Sequence, residues 1–231
     1  GHEISAVVEA VGSEVTRVRP GDRVICEDIS PCGGCTACKS GQSRLCRSGY
    51  TLEGQPGMSD RLVVHENLLN PYEGIDPVIA AMVEPLSVAI RGVRKLSLPP
   101  LGSLVVFGMG AIGLLSAAFA RAMGAGRIAM VARTRDSLRN RAAESAAAAL
   151  GADEVYYSGD GVGYIDEMLK AGAFDGAIVA APPALCADAL RAVGYGGNVV
   201  AQGVTFGGNP MATLNVSQMI FEKKQLLTSL A

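Results

Sequence analysis

The sequence predicts an α/β protein in which a doubly wound parallel sheet follows a smaller β-rich segment. After Pro99-Pro100, short apolar runs of strand length alternate with stretches of helical periodicity, the pattern of parallel βαβ units with right-handed crossovers. Of the 231 residues 49% are hydrophobic and 18% charged, which is enough apolar material for one large or two modest domains. The 29 glycines and an alanine-rich stretch favour helices packed closely on a sheet over an all-β design.

The first segment is predicted to be mostly strands and loops. Residues 3–26 contain β-rich runs around Pro20-Gly21-Asp22, which is a turn signal. Residues 31–50 are rich in Gly, Cys and Ser and have little periodicity, which indicates a loop. Arg61-Leu62-Val63-Val64 is predicted to form another strand, and the apolar spacing over 78–96 predicts a helix that ends before the proline pair.

The second segment is predicted to alternate strands with helices. We expect strands at 103–107, 127–132, 154–157, 175–180, 197–202 and 225–230. We expect helices at about 111–123, 137–150, 163–171, 183–193 and 215–223. The composition changes near residues 93–101, so we predict two domains, 1–96 and 97–231.

Charge and apolar patterning argue against several classes of partner. The formal net charge is -2 and no long basic run is present, so neither nucleic acid nor an anionic membrane is an expected partner. The apolar stretch 104–120 reaches the lower length limit of a membrane span. It carries three glycines and is followed by Arg121, so we interpret it as a buried strand leading into a buried helix. With no secretory signal after Gly1, a reducing, cytoplasmic location is expected.

A glycine motif follows the first strand of the second segment. Phe107 ends an apolar run, and Gly108-Met109-Gly110-Ala111-Ile112-Gly113 then leads into an apolar helix. A G-x-G-x-x-G motif is weak evidence alone, but between a strand and a helix it is typical of Rossmann-type dinucleotide binding. Gly108 suits a tight turn, Gly110 a close approach of a pyrophosphate, and Gly113 close packing of helix on strand. The free N–H groups of residues 110–113 would bind the anion. A glycine-rich packing turn without a ligand is the alternative.

The end of the second strand indicates which dinucleotide binds. Sites selective for NAD place an acidic residue about 20 positions after the motif, where it binds the ribose 2′-OH. Here Ala132 stands in its place, followed by Arg133, Thr134 and Arg135. Arginine attracts a 2′-phosphate that a carboxylate would repel, so the sequence favours NADP(H). Alternatively, the arginines form a solvated loop end. Asp136 is expected to cap the next helix.

Four of the six cysteines lie close together in the chain. Cys32, Cys35, Cys38 and Cys46 have the spacing C-x2-C-x2-C-x7-C, which suits a tetrahedral structural zinc with no open coordination position. An iron–sulfur cluster is the alternative, although its tight fourth spacing and following proline are absent. A nucleic-acid-binding zinc ribbon lacks the expected basic and aromatic surface. The two isolated cysteines, Cys26 and Cys186, are expected in the core.

Together these motifs resemble the zinc-dependent medium-chain alcohol and polyol dehydrogenases. Gly1-His2-Glu3, the Pro-Gly-Asp-Arg-Val turn at 20–24, the cysteine loop, Glu84-Pro85-Leu86-Ser87-Val88 and the glycine turn occur in that family's order. The resemblance extends over essentially the whole chain, and Glu84 is most similar to the sorbitol (polyol) dehydrogenase branch. It implies a partial GroES-like catalytic domain before the Rossmann domain.

The resemblance also implies residue roles. His2 and Glu84 would be ligands of a catalytic zinc, and Glu3 an exchangeable or neighbouring carboxylate. The four loop cysteines match the family's structural-zinc ligands. The implied activity is hydride transfer between NADP(H) and an alcohol or polyol, or its carbonyl partner.

The family pattern also contains elements that this sequence does not show. A third catalytic-zinc ligand, a cysteine, and a neighbouring hydroxyl residue precede the GHE motif in the family, and the family chain continues past the strand at 225–230. The resemblance therefore implies a fragment that is inactive alone, from a parent that forms dimers or tetramers. A non-catalytic dinucleotide-binding module with a structural zinc loop is the competing hypothesis.

Overall fold

The computed structural model describes residues 1–55, 57–135, 138–161 and 163–230. The chain divides into two compact units, Gly1–Glu84 and Pro85–Ala231. The division falls in the first turn of the helix Val83–Leu96, between Glu84 and Pro85, whereas the sequence assigns the whole helix to the first domain. From Pro85 onward the helix belongs to the second unit, because Val93 and Leu96 are buried in the hydrophobic core of that unit.

The first unit is built on a small antiparallel sheet. Strands β1 (Ile4–Val7), β2 (Arg23–Cys26) and β5 (Leu69–Pro71) pair in the order β1-β2-β5. A separate pair joins β3 (Ile29–Ser30) to β4 (Tyr50–Thr51). The unit also contains helices α1 (Thr36–Lys39) and α2 (Pro77–Ala81), and short 3-10 turns at Ser43–Leu45 and Glu66–Leu68. Its core contains Ile4, Cys26, Leu52 and Leu68.

The prediction of a strand at residues 61–64 is wrong. These residues alternate between exposed and half-buried, as the sequence pattern requires, but within the described part of the chain they pair with no strand. Instead, the side-chain amide of Gln55 receives a hydrogen bond from Val63 N at 3.1 Å and donates one to the Val63 carbonyl. A single side chain thus satisfies the backbone groups that a neighbouring strand would otherwise pair with.

The helix predicted over 78–96 is two helices, α2 and α3 (Val83–Leu96), separated at Met82. Pro85 explains the break. In a continuous helix the proline ring would collide with the carbonyl of Ala81 four residues earlier, and the hydrogen bond to that carbonyl would be lost. Pro85 is tolerated because it lies in the first turn of α3, where no N–H partner is needed.

The second unit is a six-stranded parallel sheet with helices on both faces. Its strands are β6 (Ser103–Phe107), β7 (Arg127–Ala132), β8 (Glu154–Tyr157), β9 (Phe174–Val179), β10 (Val193–Ala201) and β11 (Gln225–Thr228). They lie in the order β11-β10-β9-β6-β7-β8. The first strand therefore lies in the middle and the chain runs outward in both directions, which is the Rossmann topology.

The helices of this unit are α3, α4 (Ala111–Ala122), α5 (Leu138–Ala149), α6 (Gly163–Leu169), α7 (Cys186–Ala192) and α8 (Val216–Phe221). Alternate residues of each strand face opposite sides: Val105 and Phe107 pack in one core cluster, Leu104 and Val106 in the other. The predicted α/β fold class and doubly wound sheet are confirmed, and each predicted strand of this segment is present within a few residues.

Two further predictions concern the isolated cysteines and a helix cap. Cys26 and Cys186 are both buried, as predicted, and burial raises the pKa of each thiol. Asp136, the predicted helix cap, lies outside the described residues. Throughout the described part of the chain, every helix is too short or too polar to cross a bilayer.

Candidate functional site

The four cysteines of the 31–50 loop converge. Their sulfur atoms all lie within 4.8 Å of one another, with Cys35 Sγ 3.5 Å and Cys32 Sγ 4.0 Å from Cys38 Sγ. A tetrahedral zinc with Zn–S bonds of about 2.3 Å separates its sulfurs by about 3.8 Å. The cluster therefore fits a zinc ion after movements of an ångström or less, and all four side chains are partly accessible.

Backbone groups of the loop favour ionisation of one thiol. The N–H groups of Cys35 and Gly34 lower the pKa of Cys32 to about 6, and Cys35 N lies 3.4 Å from the Cys32 sulfur. Loss of hydration raises the pKa of Cys38 to about 12. Because metals bind the thiolate form, a bound ion is needed to ionise Cys38 at neutral pH.

His2 and Glu84 lie together in the first unit. His2 Nε2 is 4.0 Å from Glu84 Oε2. Ligand bonds of about 2.0–2.1 Å to a tetrahedral zinc would hold these atoms about 3.4 Å apart, so a small movement of either side chain would admit an ion. Burial raises the pKa of the Glu84 carboxyl, and the nearby Glu3 charge acts in the same direction against the opposing effect of His2. Glu3 itself is exposed.

The two candidate metal positions differ in how complete they are. Among the described residues, only the four cysteines form a group of three or more His, Cys, Asp or Glu side chains placed to hold a metal ion. His2 and Glu84 supply two ligand atoms.

The glycine turn joins β6 to α4 at the carboxyl end of the sheet. Gly108 has a φ of 115°, and a Cβ added there would lie 2.5 Å from the Ala180 carbonyl oxygen. A Cβ on Gly113 would lie only 1.9 Å from the Gly108 oxygen. Packing thus requires glycine at both positions, as the sequence predicts for a tight turn and for close contact of helix and strand.

Gly110 differs from its two neighbours. It caps the N-terminus of α4 with an extended backbone, and a Cβ there would meet no described atom within 4 Å. Packing does not explain this glycine, and the open space beside it is compatible with the close approach of a ligand that the sequence predicts. The N–H groups of residues 110–113 form the first turn of α4, where no intrahelical acceptor is available, so the turn fits a pyrophosphate.

The two arginines that follow β7, Arg133 and Arg135, are exposed to solvent. Ala132 is buried as the last residue of the strand, and the next three residues, 133–135, are exposed. The Arg135 guanidinium carbon lies 4.9 Å from the centre of the Tyr157 ring. No carboxylate follows β7 at residues 132–135, so two cationic side chains lie beside the strand end that carries the ribose in a Rossmann site.

The sequence interpretation missed the residues that hold this segment in place. Tyr157 ends β8, and Ser158 and Gly159 follow it. Ser158 Oγ donates to the Ala132 carbonyl at 3.3 Å, and Gly159 N donates to the Arg133 carbonyl at 2.7 Å. The sequence predicts parallel strands at 127–132 and 154–157, which end at the same edge of a sheet, but it gives neither their pairing nor their register, so these contacts could not be predicted.

Two family models match the chain. The alcohol dehydrogenase GroES-like domain matches residues 1–73, and the zinc-binding dehydrogenase model matches residues 111–231. The predicted GroES-like nature of the first segment is therefore confirmed.

Individual relatives agree with the family models. D-xylulose reductase A of Aspergillus oryzae is 38% identical over 136 residues, covering 57% of this chain and 38% of the relative. L-idonate 5-dehydrogenase of Vitis vinifera is 38% identical over 135 residues, covering 57% of this chain and 37% of the relative. The matches thus span well under half the length of these relatives.

A solved structure matches the whole chain. A Sinorhizobium meliloti 1021 protein described as a zinc-binding dehydrogenase and bound to NADP has a TM-score of 0.81 and 26% identity, over 100% of this chain and 68% of that one. Family models, relatives and fold all agree with the resemblance seen in the motifs. The chain belongs to the zinc-dependent medium-chain alcohol and polyol dehydrogenase family.

Proposed function

We propose that the protein is an NADP(H)-dependent zinc oxidoreductase that interconverts an alcohol or polyol and its carbonyl partner. The observation that carries the cofactor choice is the end of β7, where Arg133 and Arg135 are exposed and residues 132–135 contain no carboxylate. The bound NADP of the S. meliloti neighbour and the relatives named for xylulose and idonate, both polyhydroxylated molecules, support the proposal.

The proposed cofactor site assigns each part of the dinucleotide to one strand end. The pyrophosphate would bind the N–H groups of Gly110, Ala111, Ile112 and Gly113 at the start of α4. The adenosine ribose would lie at the end of β7, the strand next to β6, with its 2′-phosphate between Arg133 and Arg135. Ala132 and Thr134 complete the segment, and Ala132 leaves space where an acidic side chain would exclude the phosphate.

The proposed metal roles follow the two clusters of the first unit. Cys32, Cys35, Cys38 and Cys46 would hold a structural zinc in place of a core for their loop. His2 and Glu84 would be ligands of a catalytic zinc, with Glu3 as the neighbouring carboxylate. When bound, the second zinc would supply a Lewis acid and the nicotinamide a hydride acceptor or donor.

Four free thiols persist as metal ligands in a reducing compartment, so we place the protein in the cytoplasm.

Cofactor titration tests the proposal. We expect NADPH to bind more tightly than NADH, and Arg133→Ala to weaken NADPH binding by about 1–3 kcal/mol, the value of hydrogen bonds to a charged group. The same substitution should change NADH binding little, because NADH has no 2′-phosphate. Equal or tighter binding of NADH by the unaltered chain would refute the cofactor assignment. Polyol-dependent NADP⁺ reduction by the parent protein, followed by NADPH absorbance, tests the activity.

A dinucleotide-binding module without catalysis is the second candidate. It is favoured by one observation: in the part of the chain that the structure describes, His2 and Glu84 have no third ligand-type side chain close enough to complete a metal site. Metal analysis of the parent protein that contains this chain separates the two functions. About one zinc per subunit with no dehydrogenase activity supports the module, whereas about two with activity supports the enzyme.

A further inference from the structure

Two short segments meet at the carboxyl ends of β7 and β8. The arginine segment is residues 132–135, and the anchoring turn is residues 157–159. The parallel register pairs Ala132 with Tyr157, so each segment begins where its strand ends. Each of the three residues of the anchoring turn contacts a different residue of the arginine segment.

The Tyr157 ring forms a platform under Arg135. The ring is 2% exposed and its hydroxyl donates to Glu144 Oε2 of α5 at 2.8 Å. The Arg135 guanidinium carbon lies 4.9 Å from the ring centre, within the range of a cation–π interaction. The ring is thus fixed by burial and by a hydrogen bond, while the guanidinium above it is exposed and able to bind an anion.

The next two residues fix the backbone that carries Arg133. Ser158 Oγ and Gly159 N donate to the carbonyls of Ala132 and Arg133. A Cβ on Gly159 would lie 2.4 Å from the Arg133 oxygen, so any larger residue would push the two segments apart. The backbone of Gly159 lies outside the positive-φ region, so the close approach alone requires glycine there.

We infer that the anchoring turn is a specificity-determining element: it positions Arg133 and Arg135 to grip the 2′-phosphate of NADP(H). This inference rests on the proposed cofactor. An arginine side chain loses about 2 kcal/mol of rotamer freedom when it is fixed. A platform that restricts Arg135 in the free protein removes part of that loss from the binding step. The anchoring turn would affect only the contacts with the 2′-phosphate, so it would change the affinity for NADPH and leave the affinity for NADH nearly unchanged.

Paired variants of Tyr157 test the platform. Tyr157→Leu removes the ring, whereas Tyr157→Phe keeps the ring and loses only the hydroxyl. We expect Tyr157→Leu to weaken NADPH binding about 5- to 20-fold, with NADH binding changed less than about twofold. Tyr157→Phe should bind both cofactors within about twofold of the unaltered chain. Fluorescence titration gives both affinities, and 2′,5′-ADP against 5′-AMP in calorimetry isolates the phosphate.

A glycine pair tests the backbone contact and covers the case in which Tyr157→Leu fails to fold. We expect Gly159→Ala to weaken NADPH and 2′,5′-ADP binding about 5-fold or more while NADH binding is retained. Gly163→Ala is the matched control, since a Cβ there would meet no described atom within 4 Å and α6 begins at this residue. It should leave both affinities unchanged.

The outcomes separate this inference from the proposed function. If the unaltered chain does not prefer NADPH, the proposed cofactor fails first. If it prefers NADPH, but Tyr157→Leu and Gly159→Ala reduce NADPH and NADH binding equally or leave both unchanged, the anchoring turn does not determine specificity. A selective loss of NADPH binding in both variants, absent from Tyr157→Phe and Gly163→Ala, establishes the role.

Discussion

Replacing Gly113 by alanine should destabilise the second unit by an amount that the structure lets us estimate. The added Cβ would lie 1.9 Å from the Gly108 carbonyl oxygen and 3.4 Å from Val106 Cγ1. Both partners belong to β6 or the turn that follows it, and the oxygen is a backbone atom that cannot move away by itself. The start of α4 must therefore shift by more than an ångström from the strand on which it packs.

The size of the effect follows from two opposing contributions. Overpacking costs about 1–3 kcal/mol, and a backbone collision this close belongs at the upper end. Alanine in a helix recovers about 1 kcal/mol relative to glycine. The net loss is about 2 kcal/mol, which for a chain of this size corresponds to a fall in Tm of about 4–8 °C.

Gly110→Ala makes the same chemical change three residues earlier and serves as the comparison. Its Cβ would meet no described atom, so we expect a loss of at most about 1 kcal/mol, the scale of a helix-cap change. The same methyl group would obstruct the approach of a pyrophosphate to the backbone, so NADPH affinity should fall at least about tenfold.

Thermal unfolding of the cofactor-free chain and fluorescence titration with NADPH measure the two effects separately. The reasoning fails if Gly113→Ala unfolds at the temperature of the unaltered chain, because the close contact of α4 and β6 would then be absent. It also fails if Gly110→Ala binds NADPH with unchanged affinity, because packing and ligand contact would both be excluded as reasons for that glycine.

Two further predictions concern the metal loop and a partly buried ion pair. Cys35→Ser should lower the zinc content by about one ion per chain, whereas Ser48→Ala in the same loop should not; a brown protein with visible absorption would instead indicate an iron–sulfur cluster. Glu154 accepts 3.0 Å hydrogen bonds from Arg127 Nε and Nη2, and these lower the pKa of its carboxyl. Its contribution to stability is therefore present above the unfolded-state pKa of 4.5 and is lost as the pH falls through the folded-state value. Glu154→Gln should cost about 1–2 kcal/mol in urea unfolding at pH 7 and much less near pH 3, and an equal cost at both pH values contradicts the assignment.

The second unit could be predicted from sequence because its signals are local and agree with one another. After Ser103 the β6 run is apolar, the glycine motif follows it at once, and helical periodicity resumes after Gly110. The break between α2 and α3 was also readable, since Pro85 cannot sit in the middle of a helix. The segment 61–64 was not, because its alternating pattern is the same whether a strand or the Gln55 side chain pairs with it.

The candidate sites divide in the same way. Cysteine spacing alone indicated a metal cluster, and the sulfur positions agree with it. His2 and Glu84, by contrast, are separated by most of the first unit, and only the family resemblance paired them. The contacts of Tyr157 and Gly159 with the arginine segment depend on strand register and on a ring orientation, neither of which has a sequence signal.

The cysteine loop has a consequence for how this protein depends on its surroundings. No residue from 31 to 50 is buried, so the helix α1 and the 3-10 turn after it pack against no apolar interior. We therefore expect the folding of α1 and this turn to depend on the concentration of free zinc, much as the folding of a disordered peptide depends on the concentration of its ligand. In cells short of zinc, residues 31–50 would unfold while the parallel sheet stays folded, and proteases would cleave the unfolded segment. The extent of cleavage within 31–50 would therefore report the zinc supply in vivo.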